Sequence, residues 1–184
     1  MVSVSNPVLI ALVAASASIS TADAHGYVAE PPAEFPKSTP YPSEWVAEFP
    51  PPWSGTFKTG AQYAVVAKDK GFKDLRSFLE DKGPACGKTN PNAKPRNVPS
   101  DSKVVFSRPM VHRGPCELWI DDTMVYHNDD CELEFGKKVP VFPVDFSSCK
   151  GKCMLRFYWL GLQDSGKRWQ SYSTYIAESS VDVG

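Results

Sequence analysis

This chain of 184 residues carries three histidines, His25, His112 and His127, and the setting of the first decides what chemistry they can do. Residues 1–24 have the pattern of a secretory signal: a short polar start, an apolar run over 8–15, and a small-residue stretch ending Ala22-Asp23-Ala24, an A-x-A cleavage pattern. The run is too short to span a membrane. Cleavage after Ala24 would make His25 the first residue, ahead of Gly26-Tyr27-Val28. A terminal histidine offers two nitrogens to one metal, its α-amine and a ring nitrogen. The amine has an unperturbed pKa of roughly 7.7–8.0, so a metal can displace its proton near neutral pH. Nitrogen donors in a near-planar arrangement suit copper.

His112 lies in Val111-His112-Arg113-Gly114-Pro115-Cys116, directly before a strand-like run. A Gly-Pro turn there holds an imidazole on a rigid rim rather than in a core. The amine and ring of His25 with the ring of His112 would set three nitrogens in a T, leaving two copper positions for oxygen species or water. His127, in the polar turn Tyr126-His127-Asn128-Asp129-Asp130, is the rival second ligand, its other reading being an exposed loop histidine. Further on, Trp169-Gln170-Ser171-Tyr172 opens the last strand, and Gln170 and Tyr172 share one face of it. Tyr172 is placed to approach a metal axially, and Gln170 to hydrogen-bond a metal-bound group. The alternative is a core tyrosine and a solvated glutamine. Arg113, Lys167 and Arg168 would bring three cations to the same place, either to meet substrate carboxylates or as solvated rim charges. The pairs Asp121-Asp122 and Asp129-Asp130 lack the spacing of an EF-hand loop and read as solvated turns.

The elements that must position these residues read as an all-β domain. Residues 25–184 suffice for one domain with its own core. Asp23 is the only charged residue before them, so cationic and acidic side chains balance at 20 each. Bulk charge therefore points to neither nucleic acid nor membrane, and the domain reads as a monomer. Eight of the 17 prolines fall in residues 31–52, which excludes helix interior and central strand. That stretch reads as a long loop packed or displayed through Phe35, Tyr41, Trp45, Phe49 and, just beyond, Trp53. Phe72, Leu75, Phe78 and Leu79 predict a helix over 69–81, ending before Gly83-Pro84. Residues 86–102 read as loop. Strands are predicted over 103–107, 116–120, 123–126, 138–146, 154–162 and 171–183, with Asp121-Asp122 as a hairpin turn. Short strands joined by such turns predict an immunoglobulin/fibronectin-like antiparallel β-sandwich with long loops and one or two short helices. Secretion favours disulfides, and five cysteines leave one over. Cys116 and Cys131 flank the hairpin and Cys149 and Cys153 bracket a Lys-Gly-Lys turn, which leaves Cys86 as the odd one among several possible pairings.

Taken together, a signal ending directly before HGYV, the segment HRGPC and a late QSY resemble the lytic polysaccharide monooxygenases. The tail FYWLGLQDSGKRWQSYSTYIAE resembles their final two strands. The compact length and the phrase ACGKTNPNAKPRNVP are most similar to auxiliary activity family 17, the pectin-active group of secreted oomycete enzymes. The resemblance covers essentially all of residues 25–184, and its motifs gain specificity from their order and spacing.

The resemblance implies a histidine brace of His25 and His112 around one copper ion, with Tyr172 axial and Gln170 beside it. It implies an extracellular enzyme that uses an external reductant with O2 or H2O2 to hydroxylate a sugar C–H next to the glycosidic bond. Pectin, as homogalacturonan, becomes the leading substrate, with Arg113, Lys167 and Arg168 as its cationic contacts. Two positions depart from the large cellulose-active fungal family. Tyr175 stands where that family has a cysteine five residues after the glutamine, and no histidine lies between 127 and 170. Two other functions are compatible with the same residues. One is a copper-binding or copper-delivery protein without turnover, and the other a noncatalytic wall-binding module displaying the loop aromatics.

Overall fold

The computed structural model describes residues 26–37, 47–49, 52–53 and 57–179. Residues 1–24, His25, Tyr41 and Trp45 lie outside them. In chain order the strands are β1 (Val28–Glu30), β2 (Ala47–Phe49), β3 (Arg96–Asn97), β4 (Lys103–Phe106), β5 (Cys116–Ile120), β6 (Thr123–Asn128), β7 (Val141–Pro143), β8 (Lys152–Gln163) and β9 (Arg168–Ser179). The helices are α1 (Gly60–Asp69), α2 (Leu75–Lys82) and α3 (Cys131–Phe135). The strands form two sheets, β1-β4-β7 and β2-β9-β8-β5-β6, with β3 added in parallel along β9. This is the all-β sandwich that the strand pattern predicts.

The long hairpin of β8 and β9 is its spine, with twelve residues in each strand in unbroken antiparallel register. The run Phe157-Tyr158-Trp159-Leu160 has no polar alternation because both faces of β8 are covered. Leu155, Phe157 and Trp159 face the other sheet, packing with Val28, Val104, Phe106 and Phe142. Tyr158, Leu160 and Leu162 face the helices, packing with Tyr63, Leu75, Phe78 and Trp169. A helical layer therefore lies outside the sandwich and gives the central sheet a second core. Trp53 belongs to it, stacked 5.9 Å from Tyr63 and edge-on to Trp169 at 5.5 Å.

The helical region differs from the single helix predicted over 69–81. Thr59 caps α1 by accepting the Gln62 N–H, and Gly71, at φ 87°, breaks the chain after it. Asp74 then caps α2 by accepting the Ser77 N–H. The apolar positions at 75, 78 and 79 are buried as their spacing requires. The buried positions of α1 are Gly60, Tyr63 and Ala67, while Val65 is exposed, so its sequence carries a weak helical stripe. The strand predicted over 138–146 shrinks to three residues, flanked by Pro140 and ending at Pro143. Cys116–Cys131 and Cys149–Cys153 are disulfides and Cys86 is a free thiol.

Candidate functional site

Residues 113–115 deliver His112 to the end of the spine. Arg113 O accepts from Leu162 N–H at 2.9 Å and Pro115 O from Leu160 N–H at 3.0 Å, which continues the β5–β8 pairing to the rim. Gly114 has φ 139°, and a Cβ there would sit 1.9 Å from the Leu160 carbonyl oxygen. The H-x-G-P segment therefore needs its glycine. Asp130 anchors the bend, accepting from Gly114 N–H at 3.2 Å and from the Arg113 guanidinium at 2.7 Å.

Cross-strand register brings the remaining groups to His112. Trp159 pairs with Tyr172 and Gly161 with Gln170. The Trp159 and Tyr172 rings stack at 4.2 Å, and the His112 ring lies near-parallel to Trp159 at 6.1 Å. A Cβ on Gly161 would stand 3.3 Å from both His112 Cβ and Tyr172 Cε2. The imidazole and the phenol therefore converge over a position with no side chain. Gln163 donates its amide to His112 Nε2 at 2.7 Å and to Gln170 Oε1 at 2.5 Å, and the Tyr172 hydroxyl donates to the same Oε1 at 2.8 Å. An amide nitrogen only donates, so Nε2 accepts. The lone pair a metal would take is thus turned into this cluster. Gln170 and Tyr172 are 5% and 3% exposed, so the glutamine is an interior group with bonded partners rather than a solvated one.

The N-terminal segment reaches one member of this cluster, Tyr172. Gly26, directly after His25, lines a small crevice with Tyr27, Lys88 and Tyr172. His25 itself lies outside the described residues. The donor types fit copper: an imidazole nitrogen and a phenol, with amides and an indole around them. Among the described residues no group of three or more His, Cys, Asp or Glu side chains is placed to hold a metal. A nitrogen set here would have to draw on His25.

The three expected substrate cations are placed differently from one another. Arg113 is engaged by Asp130, with Glu132 at 3.6 Å. Arg168 pairs with Asp164 at 2.6 Å. Lys167 is exposed in the β8–β9 turn. His127 lies on the opposite, helix-facing side of the central sheet. Its Nδ1 bonds Glu117 at 3.3 Å and its Nε2 bonds Asp129 at 2.9 Å. The hydrogen bond to Glu117, assisted by Asp129, pushes its pKa up to about 9. Both ring nitrogens of His127 are therefore engaged by carboxylates, away from the His112 cluster. Buried Glu117 also accepts from the Leu75 and Arg76 N–H groups at the start of α2 and from the Trp119 indole, tying that helix to β5.

Gln163 escapes sequence reasoning. It belongs to no local motif and gains its role from two pairings of β8, with β9 on one side and with residues 113–115 on the other. No protein-family model matches this chain, and no curated protein matches it significantly.

Proposed function

We propose that residues 25–184 form a secreted copper-dependent lytic polysaccharide monooxygenase that oxidatively cleaves pectin, with homogalacturonan as the favoured substrate. The observation that carries this reading is the convergence of His112 and Tyr172 over Gly161, with Gly26 lining the crevice beside Tyr172. A brace needs the terminal residue and the second histidine at one spot, and Gly26 is one residue from the first.

In this reading His25 supplies its α-amine and ring, His112 supplies Nε2, and Tyr172 completes the site. Copper supplies one-electron oxidation chemistry, with an external reductant and O2 or H2O2 as co-substrate. Gln170 holds the Tyr172 hydroxyl, and Gln163 links that carbonyl oxygen to the His112 ring. The burial of Trp159 and Tyr172 keeps these groups from rearranging, since both are locked by packing on the inter-sheet core. The partners are the acidic polymer and an electron donor. Two disulfides support an oxidising compartment. No helix among the described residues is long and apolar enough to cross a membrane.

The test is mass spectrometry of products from polygalacturonate, using copper-loaded protein that starts at His25, with and without ascorbate and beside cellulose and chitin. Oxidised oligogalacturonides that require reductant and vanish in His112→Ala are the expected result. Stoichiometric copper binding without product from any polymer would favour a copper-handling protein instead. Equal polymer binding with and without copper, and no product, would favour a wall-binding module.

A further inference from the structure

The outer edge of β9 is covered in three pieces. β2 pairs with residues 169–171 and β3 with residues 178–179. Between them sits the tight turn Cys86-Gly87-Lys88-Thr89. Gly87 N–H donates to Pro84 O at 2.9 Å, and Thr89 N–H to Cys86 O at 3.1 Å. The Thr89 hydroxyl donates to Cys86 O at 2.6 Å and accepts the Tyr175 N–H at 2.9 Å, filling an edge donor that no strand reaches. Gly87 has φ 57°, and a Cβ there would sit 2.4 Å from the Ser173 carbonyl oxygen. The turn is thus pressed onto β9 one residue from Tyr172, and its register is set by buried Thr89 rather than left to the loop.

Its single cation is Lys88, whose side chain is exposed and lines the crevice that Gly26 and Tyr172 share. Among the described residues no carboxylate pairs with it. The contrast with Arg113 and Arg168 is physical: each of those is already held by an aspartate, so a substrate carboxylate would have to displace an existing ion pair. A lysine ammonium on a flexible stem, fixed at its backbone, can turn its charge toward an arriving anion.

We propose that Lys88 reads the acidic substrate, pairing with a uronate carboxylate at the Tyr172 end of the site. This rests on the function proposed above for its placement beside a reacting centre. A neutral or methyl-esterified polymer offers no partner for it, so Lys88 sets preference among polymers rather than the rate of the chemical step.

The test compares copper-loaded wild type, Lys88→Ala, Lys88→Arg and Lys152→Ala, whose cation lies at the far end of β8. The readouts are binding to polygalacturonate and to fully methyl-esterified pectin at several salt concentrations, KM and kcat for oxidised product, and the Cu(II) EPR spectrum. For Lys88→Ala, polygalacturonate binding weakens and KM rises about tenfold at low salt, as for loss of one charge-assisted contact. kcat, the EPR spectrum and binding to the esterified polymer stay at wild-type values. Lys88→Arg recovers most of the affinity and Lys152→Ala changes nothing. Wild-type affinity in Lys88→Ala, or an equal loss on the esterified polymer, would overturn the proposal. Binding is read without turnover, so the two readings separate. If wild type yields no oxidised product yet Lys88→Ala still loses affinity for polygalacturonate alone, the enzyme reading falls and Lys88 stands as the acidic-polymer contact.

Discussion

Gln163, the last residue of β8, donates its side-chain amide at 2.7 Å to Nε2 of His112, which the Arg113–Leu162 bridge brings beside it. The same amide reaches Gln170 Oε1, so one side chain couples the imidazole to the Gln170–Tyr172 pair. The contact has a direct consequence for metal binding, because it uses the lone pair that a metal needs.

Replacing Gln163 with leucine removes that competitor. A net hydrogen bond is worth about 1 kcal/mol, so the Kd for Cu(II) is expected to fall about fivefold in Gln163→Leu. Competition titration with a chelating dye measures it. An unchanged or weaker Kd would mean that the amide does not compete for Nε2 and instead only orients the ring.

Gly161 leaves a side chain little room. In Gly161→Ala the new methyl meets His112 Cβ and Tyr172 Cε2 at 3.3 Å, so the imidazole and phenol must part. Overpacking of this kind costs about 1–3 kcal/mol. Thermal unfolding of the copper-free chain should show that loss. The Cu(II) EPR spectrum should broaden or shift relative to wild type, and an identical spectrum would show that the convergence is not needed for the site.

His127 predicts a pH dependence far from the metal. Its pKa, raised to about 9 from 6.5, means that the folded state holds the proton more tightly than the unfolded chain. That stabilisation is fully present below pH 6.5 and is lost as pH rises through about 9. Unfolding midpoints should decline across this window, and His127→Gln should flatten the decline. The ring is partly exposed, so the effect is modest and shrinks in salt.

Glu178 works in the opposite sense at neutral pH. It is fully buried, and neither carboxylate oxygen has a hydrogen-bond partner among the described residues. Burial pushes its pKa up to about 8, with Arg96 opposing. The unfolded chain ionises near pH 4.5 while the folded state keeps the proton, so wild type loses stability between those values. Glu178→Gln should therefore be more stable than wild type at pH 7, by about 3 kcal/mol, and equal to it near pH 4. Denaturant unfolding at the two pH values checks both. A destabilised variant at pH 7 would show that the carboxylate is ionised and bonded.

Local patterns carried part of this architecture. The β5–β6 hairpin is legible because Asp121-Asp122 is a turn between short alternating runs, and Asp121 indeed takes φ 50°. α2 is legible from the 75, 78, 79 spacing and its stop at Gly83. The disulfides are the pairing suggested by cysteines that flank the hairpin and bracket the Lys-Gly-Lys turn, one of several that five cysteines allow. His112 and the Gln170–Tyr172 pair could be singled out because each sits in a short motif whose residues are neighbours in the chain.

Other features depend on neighbours far away in sequence. α1 hides because its buried positions are small or few, and its place is decided by the sheet it covers. Residue types alone made Arg113 and Arg168 candidates to bind substrate, whereas folding brings Asp130 and Asp164 to them. His127 meets Glu117 from the adjacent strand, a partner its own segment does not reveal. Gln163 and Lys88 have no motif at all. One depends on a twelve-residue register between β8 and β9, the other on a turn that bonds to a vacant stretch of strand edge. The sequence by itself determined the sandwich, its hairpins and the residue types available for chemistry, because these follow from local periodicity and turn geometry. Only the tertiary structure decided which of those residues meet and which charges remain open, because both depend on strand register and on partners far apart in the chain.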